Sequence, residues 1–318
     1  MALVDRHQPE LSVTADTRRP SSDASDPSRP WLDEAGDADR LAALAAAENF
    51  PVASRLLPRR QREHLLAVYG FARLVDDIGD ESPGDRLAEL DAAEAELDRA
   101  FLGQATLPVF VRLQPTLAAC DLPRQPFADL IEANRQDQRV AAYATWDDLR
   151  AYCRLSADPV GRIVLGAFGL ATPERVVWSD DVCTALQVVE HLQDVGEDAA
   201  RGRVYLPADV LARHGCSPED LHQATASPAL RAVVADLGQR SHELLASAEP
   251  LVRTLHGRPR WAVAAFAAGG LAALDAIDRA GQDVLAQPVK PAATRVGRRW
   301  LEVLWASRRW RRSREERS

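Results

Sequence analysis

Between Gln61 and Asp80 the apolar residues Leu65, Val68, Phe71, Ala72 and Val75 recur at spacings of three and four. That is the stripe an α-helix turns toward a core. The same spacing marks about 84–102, 107–119, 125–141, 146–169, 174–199, 228–254, 260–286 and 294–312, and few segments alternate with period two. The expected class is therefore all-α. With 318 residues, 46% of them hydrophobic, the chain can bury one large core. Thr172-Pro173-Glu174 and Ser217-Pro218-Glu219-Asp220 read as helix starts, each with a capping hydroxyl and a proline at the first position. Pro159 falls inside the 146–169 pattern and should kink or break it.

Residues 1–36, with Pro9, Pro20, Pro27 and Pro30 and little apolar content, read as a disordered leader. A short helix at about 37–47 and an irregular run from Glu48 to Ser54 follow. The main domain is expected over 37–288, and 289–318 is a basic tail. Cys120, Cys153, Cys183 and Cys216 form no C-x-x-C pair, so reduced thiols are expected rather than a zinc site. No signal-like N-terminal run or 18-residue apolar stretch is visible, and a cytoplasmic protein is expected. The net charge of −8 argues against a nucleic-acid partner. From Lys290 onward, however, ten Lys and Arg face three Asp and Glu. Trp300, Leu301, Leu304, Trp305 and Trp310 lie among those arginines. Such a tail suits peripheral contact with an anionic membrane, or tryptophans packed on the domain.

Two acidic clusters stand out against this helical background. Asp76-Asp77-Ile78-Gly79-Asp80 and Asp194-Val195-Gly196-Glu197-Asp198 each contain D-x-x-x-D. On a helix, residues four apart share a face, so Asp76 projects with Asp80 and Asp194 with Asp198. Two such pairs on facing helices make an oxygen-only cage suited to Mg²⁺. Asp33 and Asp37 also fit the spacing, so the neighbours must discriminate. Tyr69, Arg73, Asp76 and Asp80 follow one another at i, i+4, i+7, i+11 and set phosphate and metal ligands on one stripe.

Three segments, YGFARLVDDIGDE at 69–81, YCRLSADPVG at 152–161 and ALQVVEHLQDVGEDAARGRVYLP at 185–207, occur in this order. Together they resemble the squalene/phytoene synthase family of head-to-head isoprenoid synthases. ENFPVASRLLP at 48–58 resembles its bacterial hydroxysqualene synthase branch, of the hopanoid pathway. The resemblance runs from about Leu41 to Leu285. It implies an all-α isoprenoid-synthase bundle around a central apolar cavity, with Asp76, Asp80, Asp194 and Asp198 as Mg²⁺ ligands at its mouth. It implies further that Arg73 and Arg203 contact the substrate diphosphate, with Tyr69 and Tyr205 lining the site.

Three positions depart from the family pattern. Glu190 replaces the usual Asn and makes a ladder of three acids with Asp194 and Asp198; it is an extra metal ligand or, the favoured reading, an arginine partner. His191 replaces an aromatic or apolar residue and is structural or positions a water. Leu155 stands where squalene synthases carry a second tyrosine tied to cyclopropane formation, which fits an enzyme that skips that half-reaction. The expected reaction is Mg²⁺-dependent conversion of presqualene diphosphate to hydroxysqualene, with no NADPH. The alternatives are presqualene diphosphate, squalene or phytoene synthesis, or a non-catalytic membrane-associated assembly factor of the same fold.

Overall fold

A computed structural model describes residues 58–315, with side chains through Ser307. The leader, the expected helix at 37–47, the run from Glu48 to Ser54 and the Trp310 side chain lie outside the described ones. Among the described residues there are thirteen α-helices and one isolated parallel bridge, Ala142 with Val204. The first six helices are α1 (Arg59–Glu81), α2 (Arg86–Phe101), α3 (Pro108–Cys120), α4 (Gln125–Asp137), α5 (Trp146–Ser156) and α6 (Asp158–Ala167). Then come α7 (Pro173–Gln193), α8 (Val195–Ala200), α9 (Ala208–Arg213), α10 (Pro228–Leu245) and α11 (Ala248–Thr254). The last two are α12 (Gly257–Arg279) and α13 (Ala293–Glu315).

The apolar stripe of α1 seats that helix against α3, α4 and α6. At the centre of this layer Phe71, Phe110 and Phe127 are fully buried. Phe71 meets the other two rings edge to face, at centroid distances of 5.8 and 5.3 Å. The second layer centres on α7, which packs on α6, α10 and α12; Val188, Leu192, Val233, Val234 and Leu237 fill it. Where α1 crosses α4, a Cβ on Gly79 would run into the Asn134 side chain. The absence of that carbon lets the two helices close on each other.

The cap signals hold. Thr172 Oγ1 accepts from Arg175 N at 3.4 Å, and Ser217 forms a reciprocal box with Asp220. Pro159 does break the 146–169 pattern, which becomes α5 and α6 on either side of Ala157.

Three long helices expected from periodicity are corrected. The 174–199 stretch divides at Asp194 (φ −104°, ψ 13°), beside Gly196, which packs closely on Leu285; aspartate and glycine are weak helix formers. The 228–254 stretch divides before Pro250, whose missing N–H stops the ladder, and Ser247 turns aside to donate to Asp181 at 2.8 Å. The 260–286 stretch ends at Arg279, with Gly281 and Gln282 both left-handed. Helix α4 stops at Asp137 rather than 141, and α9 was not expected.

Helix α13 docks on α11 and α12. Arg299 pairs with Asp275 at 2.5 Å, Arg260 donates to the Leu304 carbonyl at 3.0 Å, and Trp300 Nε1 donates to the Trp261 carbonyl at 3.0 Å. Trp300 and Leu304 thus pack inward, whereas Leu301 and Trp305 are 62% and 60% exposed. Among the described residues only α12 has the length and apolarity of a bilayer-crossing helix, and 56% of that stretch is buried inside the bundle. All four cysteines are free. Burial pushes the Cys153 and Cys183 thiols up to about 12, so they stay protonated.

Candidate active site

The two acidic clusters meet. Asp76 and Asp80 on α1 and Asp194 and Asp198 at the α7–α8 junction line one pocket of about 310 Å³. The break at Asp194 does not separate its pair, because Asp198 N still donates to the Asp194 carbonyl at 2.8 Å. Helix α4 closes one wall with Asn134 and Asp137, and α5 adds Tyr152. The chain leaving α8 brings Arg203 and Tyr205 to the mouth. That exit is held by backbone pairing. Val204 N donates to the Ala141 carbonyl at 2.7 Å and Ala208 N to the Tyr143 carbonyl at 2.9 Å.

Asp76 faces the open pocket, yet the protein packed around the wall, together with the Asp80 charge, pushes its carboxyl up to about 7. The Asn134 amide, donating to Asp76 Oδ1 at 3.2 Å, works against that rise. Asp194 is raised as well, by burial first and then by Asp198 and Glu197. Arg203 Nη1 reaches across the pocket to Asp80 Oδ1 at 2.8 Å. Burial opposes its charge, but the Asp80 bond prevails and the guanidinium is held above its ordinary value. Arg73 lines the pocket while pairing with Asp77 at 2.8 Å, so Asp77 anchors that arginine.

Six carboxylates (Asp76, Asp80, Asp137, Glu190, Asp194 and Asp198) line the pocket against the guanidiniums of Arg73, Arg201 and Arg203. An anionic ligand would meet net repulsion unless cations came with it. All the carboxylate donors are hard oxygens, which fits Mg²⁺. Among the described residues no three His, Cys, Asp or Glu side chains close on one point to hold a metal ion.

Tyr69 is not among the residues that line this pocket. It shares the stripe of Arg73, Asp76 and Asp80, but seven residues before Asp76 is about 10 Å along the helix. There its ring is buried with Leu65, Val164 and Ala167, against half-buried Phe168, Ala262 and Phe266. Glu190 lines the pocket. His191 is buried, with its ring stacked on Tyr205 at 3.8 Å and 8°. Leu155 packs half-buried on the larger core cluster. Sequence reasoning missed Asn134, Asp137, Gln187 and Arg201. Asn134 and Asp137 are i, i+3 on one helix, a spacing that by itself looks like any polar face.

A family model for squalene/phytoene synthase matches residues 44–297. The hydroxysqualene synthase of Rhodopseudomonas palustris is 43% identical over 211 residues, covering 64% of this chain and 70% of that protein. The 15-cis-phytoene synthase of Synechococcus elongatus is 33% identical over 267 residues, covering 80% of this chain and 87% of that one. Among solved structures, squalene synthase HpnC from Alicyclobacillus acidocaldarius superposes with a TM-score of 0.73 at 45% identity, covering 80% of this chain and 95% of the other.

Proposed function

The chain belongs to the squalene/phytoene synthase family, and from that premise we propose that it converts presqualene diphosphate to hydroxysqualene in a Mg²⁺-dependent reaction. The observation that carries this is the pocket itself, which two carboxylate pairs line together with Arg73 and Arg203. The likeness to hydroxysqualene synthases supports the choice within the family. So does Leu155, which stands in place of the second tyrosine.

Asp76, Asp80, Asp194 and Asp198 would hold the Mg²⁺. Bound with the diphosphate, magnesium would supply Lewis-acid stabilisation of the leaving oxygens. Arg73 and Arg203 add charge where the anion develops as the C–O bond breaks. The hydrocarbon would run along α1 past Tyr69 into the half-buried apolar layer of Phe168, Ala262 and Phe266. That wall keeps bulk water from the cation.

Purified protein with Mg²⁺ and presqualene diphosphate, without NADPH, is expected to release hydroxysqualene and diphosphate. Acceptance of farnesyl diphosphate alone, or release of product only with NADPH, would overturn the assignment. The length of the match to the phytoene synthase favours head-to-head condensation as the second reading, and the same product analysis separates the two.

The exposed Leu301 and Trp305 beside Arg298 on α13, in a segment of net charge +7, suit peripheral binding to anionic lipid. The wild type should float with vesicles containing phosphatidylserine but not with phosphatidylcholine alone. Leu301→Ser with Trp305→Ser should abolish flotation; equal flotation of both proteins would exclude this face.

A further inference from the structure

Asp137, the last residue of α4, lies in the pocket wall but belongs to neither acidic pair. Its carboxylate accepts two phenols: Tyr152 donates to Oδ2 at 2.7 Å and Tyr205 to Oδ1 at 3.1 Å. The two tyrosines come from α5 and from the backbone-paired exit after α8, and both line the pocket. The nearby charges are Arg203 and Asp80, which themselves pair.

A phenol has one proton to donate and lone pairs to accept with. With both protons committed to Asp137, the two tyrosine oxygens, which also touch each other, have only lone pairs left to offer the pocket. A water seated on them must spend its hydrogens on those oxygens, so its own lone pair points away from them. The Tyr205 ring is held in place by stacking on His191 at 3.8 Å and on Tyr143 at 5.9 Å.

We infer that Asp137, acting through Tyr152 and Tyr205, positions the water that captures the carbocation. This rests on the reading that water ends the reaction. The water lone pair forms the C–O bond to the cationic carbon. The resulting oxonium loses one proton to a tyrosine oxygen, whose own proton passes to Asp137. The product is a neutral alcohol, Asp137 is left protonated, and nothing is oxidised or reduced. Burial raises the Asp137 carboxyl above the usual range, which suits a group that ends the step holding a proton.

The test is Asp137→Asn, assayed with presqualene diphosphate and Mg²⁺ for diphosphate release and for the split of product between alcohol and alkenes. An asparagine of the same shape accepts from one tyrosine but donates to the other, which turns that phenol's proton into the pocket and misorients the water. The alcohol share should fall at least about tenfold relative to alkenes, with diphosphate release within about tenfold of wild type. An unchanged alcohol share would overturn the inference, whatever the rate. If Asp137→Asn releases no diphosphate, Tyr152→Phe is judged by the same split, and loss of release in both variants would also overturn it, since these groups would then serve ionisation. A wild type that makes no alcohol refutes the underlying reading first, before any variant is made.

Discussion

Replacing Asp76 and Asp194 together by alanine is expected to lower turnover by about three orders of magnitude or more, with the helical fold intact. Together the two substitutions remove one carboxylate from each pair. The three arginines would remain, but two of them are already engaged with Asp77 and Asp80. Stability should respond in the opposite sense. Asp76 has its carboxyl raised from an ordinary 3.8 to about 7, so between those values the folded chain binds more protons than the unfolded one. Its contribution to stability therefore falls as pH rises through that window and stays low above it. Thermal melts at pH 5 and pH 8 should show the variant no less stable than wild type at pH 8, with a flatter dependence between. Undiminished biological function in the double variant, with the fold intact, would favour an assembly factor over an enzyme.

Phe71→Ala should produce the largest loss of stability, about 3–5 kcal/mol, because it opens a cavity where three buried rings meet. For a chain of this size that is a fall in Tm on the order of 10 °C, read by calorimetry. Phe71 lies on the opposite side of α1 from Arg73 and Asp76, and it presses that helix onto α3 and α4. Activity should fall alongside stability, since the same helix carries one of the two carboxylate pairs. A loss below about 1 kcal/mol would mean that the α1–α4 layer collapses to fill the gap.

The first acidic pair was legible because a single unbroken helix carries it, so spacing translated directly into geometry. The second was legible only in outcome. A continuous helix was expected through Asp194, and a break stands there; the pair survived because one backbone hydrogen bond carries the helical register across it. Tyr69 shows the limit of face arithmetic, which gives direction around a helix but not depth along it. Asp137 was not legible at all. Its partners lie 15 and 68 residues away, and α4 had to stop at that residue rather than at 141. The helix ends at 194, 246 and 279 likewise depended on tertiary packing and on single glycine or proline positions.

The ion pair between Arg203 and Asp80 joins residues 123 apart in sequence. For a diphosphate seated in this pocket, Asp80 is a resident rival for the same guanidinium. Entry becomes an exchange of partners, and only a ligand with more charge than one carboxylate, or with its own cations, displaces the incumbent. Once displaced, Asp80 would be free to turn to the cations that such a ligand brings with it.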